Sequence, residues 1–483
     1  MTADVVVSDP DLDQVMAWMR SQADRVIETH IAAVFLVGDR AYKLKKAVDL
    51  GFLDFSSRDK RMWAIRRELD FNRKTAPDVY LAVTQVVRRP DGAMAFDEAG
   101  QPLENALVMR RFDPEAVLSN APERVQDDFA EALGRQVAAM HAAADVKAGG
   151  AEALHYVIRS NARHLTDLAP VLGTGLIQAL LAATDAEFDR RKALLEARGA
   201  AGQVRRCHGD LHLANILEEN GKAVLFDCIE FNDTLSEIDV LYDIAFLLMD
   251  LVFRGQGGGA NRVLNGYLDE AARSFGERML GGLIALPLFM SVRAAVRAHV
   301  SAHNGDHALA RAYVEAAMKH LSWPKPELRA VGGLSGSGKS TYARALAPSL
   351  GAPPGAVVLR SDEIRKRLWG RKPSEPLPAE AYAEGQSQRV YGVMMREAGL
   401  ILDAERSVVL DAVFLNPEDR AAAEAAAAAA KVPFEGVWLT APPEVMAERI
   451  AGRTGDASDA DAKVLQQQLA KDPGAIGWRL AES

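Results

Sequence analysis

Between residues 25 and 48, apolar and polar positions alternate with a period of two, the pattern of strands that bury one face. Val34-Phe35-Leu36-Val37 runs into Gly38-Asp39, and Arg40-Ala41-Tyr42-Lys43-Leu44-Lys45-Lys46 follows, which predicts a hairpin with a Gly-Asp turn. Residues 58–76 read as a helix rich in Arg and Glu, with further strands near Val79–Arg88 and Ala106–Phe112. From about 113 to 200 the pattern is helical, residues 204–231 return to short strands around polar loops, and 236–320 are helical again. Gly255-Gln256-Gly257-Gly258-Gly259 interrupts that last stretch and reads as a flexible connection. Trp323-Pro324-Lys325-Pro326 puts two prolines between a helix and a new strand, so domains 1–324 and 325–483 are expected. Beyond it strands and helices alternate, the order of a parallel sheet with crossover helices. Within that part, Asn416-Pro417-Glu418-Asp419 and the alanine run Ala421–Ala430 predict a helix start and a helix body without a functional role.

At 483 residues the chain exceeds one hydrophobic core, which agrees with two domains. Its composition, 49% apolar and 25% charged, is that of a globular protein. A net charge of -9 implies no broad basic surface and argues against a nucleic-acid partner, while leaving room for a local phosphate pocket. Two cysteines, Cys207 and Cys228, build no disulfide framework and suit a reducing cytoplasm. The start, Met1-Thr2-Ala3-Asp4, carries no apolar signal segment. The most apolar stretches, Ile238–Phe253 and Leu280–Val300, are interrupted by Asp or Arg and read as buried core helices, so no membrane partner is expected.

The most specific chemical motif is Gly333-Leu334-Ser335-Gly336-Ser337-Gly338-Lys339-Ser340, a full match to G-x-x-x-x-G-K-[ST] between the strand Leu328–Val331 and the helix Thr341–Leu350. Glycines let backbone N–H groups curl around phosphate oxygens, and the helix N-terminus adds positive potential. Gly333, Ser335, Gly336, Ser337, Gly338 and Thr341 are therefore expected to cradle ATP, with Lys339 on the β- and γ-phosphates and Ser340 on Mg²⁺. Val357-Val358-Leu359 and Val408-Val409-Leu410 are strand runs that lead to Asp362 and Asp411. Residues at such strand ends face the ligand crevice, so one carboxylate is expected to take the acceptor's proton and the other to orient Mg²⁺. Arg449 and Arg453, one helical turn apart before a Gly-rich stretch, suit a mobile lid that stabilises charge on the transferring phosphoryl group.

A second set lies upstream. Cys207-His208-Gly209-Asp210-Leu211-His212-Leu213-Ala214-Asn215 places an Asp and an Asn five residues apart, and Leu225-Phe226-Asp227-Cys228-Ile229-Glu230 follows. Phosphoryl transfer needs a base, metal ligands and a lysine for the phosphates. Asp210 fits the base, Asn215 and Asp227 the Mg²⁺ ligands, in the Asp-x-x-x-x-Asn spacing of kinase catalytic loops. Lys43 on the hairpin strand is placed to contact phosphates, with Lys45 on the same strand face as the alternative or as a solvated lysine. Glu68 on the following helix is placed to pair with that lysine, and Ala106-Leu107-Val108-Met109 is a candidate hinge strand for adenine.

On His208-Gly209-Asp210-Leu211-His212, Asn215 and Phe226-Asp227, residues 25–320 resemble the aminoglycoside and choline phosphotransferases of the kinase-like fold. That resemblance implies a two-lobed domain and gives Asp239 and Asp243 a supporting role beside the catalytic loop. No Gly-rich loop precedes Lys43; Glu28-Thr29-His30-Ile31 stands there, so ATP is either held by Thr29 and backbone amides or bound weakly. The phosphate loop, Ser361-Asp362 with Arg365, Leu410-Asp411-Ala412 and Arg449/Arg453 make residues 327–483 similar to the small P-loop kinases, the gluconate, shikimate and polynucleotide kinase group with its zeta-toxin relatives. This implies a five-stranded parallel sheet and gives Asp362 the substrate or base role. The whole layout, with Thr29-His30, Tyr42-Lys43 and Gly51-Phe52-Leu53-Asp54-Phe55, resembles bacterial fusions of the two. The expected activity is phosphate transfer from ATP to hydroxyls of small metabolites by both domains; the alternative is an ATP-driven switch whose N-terminal domain only binds.

Weaker features carry bland readings. His299 and His303, one turn apart, lack a supporting Glu for metal binding, and His307 lies beyond. Arg293 and Arg297 read as a solvated stripe, with contact to an acidic or phosphorylated acceptor as the alternative; Cys207 and Cys228 read as small core residues before a redox or regulatory thiol, and His212 as either a phosphate contact or a loop hydrogen bond.

Overall fold

The computed structural model describes residues 5–51, 53–452 and 457–482. They form two compact units that do not follow chain order: residues 1–124, 144–153 and 204–243 make one, and 125–143, 154–203 and 244–483 the other.

The first unit is built on a six-stranded antiparallel sheet in the order Arg25–Glu28, Ala32–Val37, Arg40–Lys45, Gln101–Arg110, Tyr80–Arg88, Met94–Phe96. The predicted hairpin is present, with Val37 paired to Arg40 across Gly38-Asp39. Phe35 and Leu44 bury into one face with Val15 and Met19 of the Pro10–Gln22 helix. The opposite face receives the helix Arg58–Asn72, whose first turn is capped by the Ser57 side chain on the Lys60 N–H. Its buried positions, Arg61, Ala64, Ile65, Glu68, Leu69 and Asn72, repeat at helical spacing, yet half are polar. Two short antiparallel pairs then frame the polar loops: Val204–Arg206 with Glu237–Asp239, and Ile216–Glu219 with Lys222–Leu225.

The second unit joins a helical body to a parallel sheet. The long helices of the body are Asp127–Ala143, Ala151–Leu172, Thr174–Ala200, Val240–Phe253, Gly257–Phe275, Leu286–His303 and His307–His320, of which Ala151–Leu172 and Val240–Phe253 begin in the first unit; Glu384–Asp403 is the long helix that follows within the sheet part. Among the described residues one helical segment, Arg278–His303, is long and apolar enough to cross a membrane, and 83% of its apolar window is buried inside the fold, as expected of a core helix. The glycines at 257–259 differ from the expectation of a loose connection. They form the first turn of a helix, and a Cβ on Gly259 would lie 1.9 Å from the Val125 carbonyl oxygen, so close backbone packing demands glycine there. Arg293 is likewise no solvated residue: it is buried with its guanidinium over the Phe246 ring. Arg297 lies over Tyr313, and His299 stacks on His164.

The sheet has five strands, all parallel, in the order Val357–Arg360, Val408–Asp411, Leu328–Gly333, Phe434–Thr440, Arg479–Glu482. Val331, Val409, Val437 and Leu439 make its core with Ala343 and Ala347 of the helical turns after the phosphate loop. The alanine run forms the helix Pro417–Ala430; Asn416 stands at its N-cap position, but its side-chain amide bonds Asp419 instead of capping.

Candidate functional site

The polar half of the Arg58–Asn72 helix has one destination. Glu68, fully buried, meets Lys43 Nζ at 2.6 Å through one oxygen and Lys45 Nζ at 2.6 Å through the other. Lys43 Nζ also lies 2.8 Å from Asp227 Oδ1, and Lys45 Nζ lies 2.5 Å from Glu230 Oε1. Lys45 is thus a buried partner and not the solvated strand lysine expected; Glu230 joins the site through it. Burial alone would lower the Lys43 ammonium, but the Asp227 and Glu68 carboxylates hold it well above its usual range. Burial alone would raise Glu68, yet Lys43 and Lys45 bring it down to about 2. For Glu230, burial outweighs the lysines and the carboxyl is raised.

The loop carrying Asp227 is pinned from three sides. The Asp227 N–H donates to the Tyr80 hydroxyl at 3.0 Å, the Cys228 N–H to Asn72 Oδ1 at 3.0 Å, and the Phe226 carbonyl meets His208 Nε2 at 2.9 Å. Asp227 takes a left-handed φ of 60°, a conformation uncommon outside glycine and frequent at functional sites. Cys207 and Cys228 are buried thiols, and burial pushes Cys228 up.

The Asp210 loop is held from below. Asp243 accepts the N–H groups of His208 at 3.2 Å and Gly209 at 2.8 Å. Asp239 accepts the Leu241 N–H and so shapes the next helix start. Asn215 Nδ2 donates to the Asp210 carbonyl at 2.9 Å and to Asp210 Oδ2 at 3.0 Å. His212 does two things: its Nδ1 accepts from the Ala214 N–H at 3.2 Å and its Nε2 lies 3.4 Å from Asp210 Oδ2. The Asp210 and Asp227 side chains stay 39% and 44% exposed, so both can meet a ligand. The turn before Lys43 is closed by Thr29, whose hydroxyl accepts the Ala32 N–H at 3.0 Å and so serves the turn itself. As for metal, the cluster formally sets three carboxylates, Glu68, Asp227 and Glu230, against two lysines, and Asp227 is its exposed member. That donor set fits Mg²⁺.

In the second unit the phosphate loop follows the Leu328–Gly333 strand. Gly336 has a φ of 82°, and a Cβ there would lie 2.4 Å from the Met446 carbonyl oxygen. Ser335 N–H donates to Gln468 at 2.8 Å, Lys339 Nζ donates to the Leu334 carbonyl at 2.8 Å, and Gly338 starts the Lys339–Leu346 helix without a side-chain cap. Ser337 Oγ is buried with no hydrogen-bond partner among the described residues. An uncapped helix start behind a glycine cradle fits phosphate oxygens. Ser340 Oγ and Asp411 Oδ2 each lie 3.3 Å from the Arg360 guanidinium, so these two oxygens already surround a positive charge, and the pair fits Mg²⁺. Thr341 is exposed at the helix start.

Asp362 sits in the first turn of the Ser361–Leu368 helix. Burial pushes its carboxyl up; Arg360, a Ser458 hydrogen bond and Lys339 oppose that, and Asp411 adds to it. Arg449 Nη1 donates to the Gly336 carbonyl at 3.4 Å, which attaches the Pro443–Ala451 helix to the loop. Arg453, with Asp456, lies outside the described residues. Arg365 donates to the Ala381 carbonyl at 2.6 Å, and Lys366 binds Asp459 at 2.6 Å. Sequence reasoning missed Arg360, Glu363 and Lys366. The signal for Arg360 was its place at the last position of a strand that points to the phosphate loop.

The phosphotransferase enzyme family matches residues 33–278, and an AAA domain matches residues 328–472. Uncharacterized proteins of Mycobacterium tuberculosis and Mycobacterium bovis are each 32% identical over 466 residues, spanning 92% of this chain and 89% of theirs. Among solved structures, a gluconokinase from Sinorhizobium meliloti 1021 is similar at 24% identity and a TM-score of 0.23, over 32% of this chain and 82% of its own. A thermostable mutant of an aminoglycoside phosphotransferase in its apo form is similar at 17% identity and a TM-score of 0.38, over 63% and 98%.

Proposed function

The chain belongs to the phosphotransferase enzyme family and is a kinase-type enzyme that uses ATP; on that footing we propose that it is bifunctional, with domains 1–324 and 325–483 each transferring a phosphate to a hydroxyl of a small metabolite in the cytoplasm. The acceptor classes that suit this chemistry are a sugar, a sugar acid or an amino alcohol.

The observation that carries the N-terminal half is the convergence of Lys43, Glu68 and Asp227 within hydrogen-bond distance, beside an Asp210 whose carboxylate is oriented by Asn215. In this reading Glu68 aims Lys43 at phosphate oxygens. Asp210 accepts the proton of the acceptor hydroxyl, and Asn215 and His212 keep its carboxylate in one orientation. Lys45 and Glu230 stiffen the cluster from inside. In the C-terminal half, Gly333, Ser335, Gly336, Ser337, Gly338 and Thr341 cradle phosphates, and Lys339 neutralises them. Arg449 and Arg453 steady the charge of the transferring group, and Asp362, raised by its burial, takes the acceptor's proton. Mg²⁺, held by Asn215 and Asp227 at one site and by Ser340 and Asp411 at the other, supplies neutralisation of phosphate oxygens when bound.

The test is transfer from γ-labelled ATP into a pool of small metabolites. A stable phosphomonoester lost in Asp210→Asn or in Lys339→Ala assigns its acceptor to that domain. Free phosphate alone, lost in Lys339→Ala and untouched in Asp210→Asn, favours an ATP-driven switch with a binding module in front.

A further inference from the structure

A run of alternating charges leads from the phosphate loop into the helices Asp127–Ala143 and Gly257–Phe275, all within one compact unit. It begins at Arg360, which is 5% exposed and so has its charge answered almost wholly by protein. Its guanidinium donates to Ser340 Oγ and Asp411 Oδ2, both at 3.3 Å, and to Glu363 Oε1 at 3.2 Å. The same Glu363 oxygen accepts from Arg135 at 3.3 Å, and Arg135 binds Asp269 through its other terminal nitrogen. Arg135 and Asp269 belong to the segment that matches the phosphotransferase family, while Arg360 and Glu363 belong to the AAA domain.

The two helices form a stiff base. A Cβ on Gly134 would lie 2.1 Å from the Val263 carbonyl oxygen, and one on Gly266 2.3 Å from that of Glu131, so the helices touch backbone to backbone. A second strut runs beside the first: Glu131 binds Arg262 at 2.6 Å and Arg344, on the helix after the phosphate loop, at 2.9 Å.

We propose that Arg360 is a tethered cation that competes with a divalent metal for Ser340 and Asp411, and that Asp269, Arg135 and Glu363 are positioning residues that set how strongly it competes. This rests on the phosphate-loop reading above. One guanidinium now satisfies both oxygens, and a metal ion in contact with the same oxygens would face that charge at close range with little water between. Arg360 is then taken up by the carboxylates around it, among which Glu363 already accepts from it at 3.2 Å. Glu363 can do so only as far as Arg135 releases the shared oxygen, and Arg135 releases it only as far as Asp269 holds it.

The effects therefore alternate in sign. Without the Glu363 charge, Arg360 stays on Asp411 and metal binds less well. Without Arg135, Glu363 draws Arg360 away and metal binds better. Without the Asp269 charge, Arg135 turns wholly to Glu363 and metal binds less well again. A merely structural role would move all three variants the same way.

The experiment titrates Mg²⁺ against ADP binding in the full chain carrying Lys43→Ala, which silences the upstream nucleotide site. The Mg²⁺ midpoint rises in Glu363→Gln and Asp269→Asn and falls in Arg135→Gln, each by about fivefold, the lower end of a typical coupling between sites. Arg135→Lys returns the midpoint toward the wild-type value. Thermal melts run in parallel, and if Glu363→Gln fails to fold, the opposite signs of Arg135→Gln and Asp269→Asn still decide. Three midpoints that move together, or none that move, overturn the proposal. If Lys339→Ala binds ADP as well as the parent does, the phosphate-loop reading itself is wrong; if Lys339→Ala loses ADP while the three midpoints stay put, only the competition is wrong.

Discussion

Lys43 Nζ stands 2.6 Å from the Glu68 carboxylate, with Glu68 fully buried on the inner face of its helix. Deleting one partner of a buried pair costs about 3–5 kcal/mol, because the remaining charge is left without compensation. Glu68→Ala leaves both Lys43 and Lys45 short of a carboxylate, so a loss of about that size is expected in urea unfolding. A loss below about 1 kcal/mol, the value of an exposed pair, would show that the cluster is open to water.

The same residue predicts a pH dependence. Its folded carboxyl titrates at about 2, below the ordinary 4.5, so the folded state releases that proton more readily than the unfolded chain does. The stabilisation is fully present above pH 4.5 and is lost as pH falls toward 2. Urea midpoints measured across that window fall more steeply for the wild type than for Glu68→Gln. Parallel curves would remove Glu68 from the account of acid unfolding.

Asp210 owes its orientation to Asn215 Nδ2 at 3.0 Å. Asp210→Asn removes a base and not a phosphate contact, so turnover by the N-terminal site falls by about 10²–10⁴-fold while ATP affinity changes little. Equal losses in turnover and in ATP binding would make Asp210 a binding residue.

Gly336 combines a φ of 82° with a Met446 carbonyl oxygen where a Cβ would sit. Gly336→Ala must move the loop or the helix that carries Arg449, and nucleotide binding at the phosphate loop is expected to fall by at least about tenfold, with the upstream site unaffected. Calorimetric titration with ADP checks this; an unchanged affinity would mean that the loop conformation is not the one that binds.

Much of the site was legible because its parts come at short, chemically specific spacings. Asp210 and Asn215, five residues apart in a polar loop, and the G-x-x-x-x-G-K-[ST] run are local patterns, and the parallel sheet follows from alternating strands and helices. Long-range burial was not legible. Lys45 shares a strand face with Lys43, but only Glu68 and Glu230, contributed by distant segments, show that this face is inside. The Arg58–Asn72 helix hid its inner face for the same reason: Arg61, Glu68 and Asn72 look solvent-facing by polarity, yet each has a buried partner. Arg293 differs from its expected solvated place because an arginine that packs on Phe246 reads as exposed in a one-dimensional pattern. The glycines at 257–259 looked like a loop since no sequence rule announces the nearby Val125 carbonyl. Arg360 is not legible in the sequence because a strand-terminal arginine beside two carboxylates and a hydroxyl becomes visible only in three dimensions.

The central claim is that one chain carries two separate nucleotide sites, and counting bound nucleotide tests it most directly. Equilibrium titration of the wild type with a non-hydrolysable ATP analogue in the presence of Mg²⁺ should saturate at about two per chain, at about one in Lys43→Ala and in Lys339→Ala, and at none in the double variant. Saturation of the wild type at one, abolished by Lys339→Ala and unchanged by Lys43→Ala, would contradict the account and leave the N-terminal domain without a nucleotide.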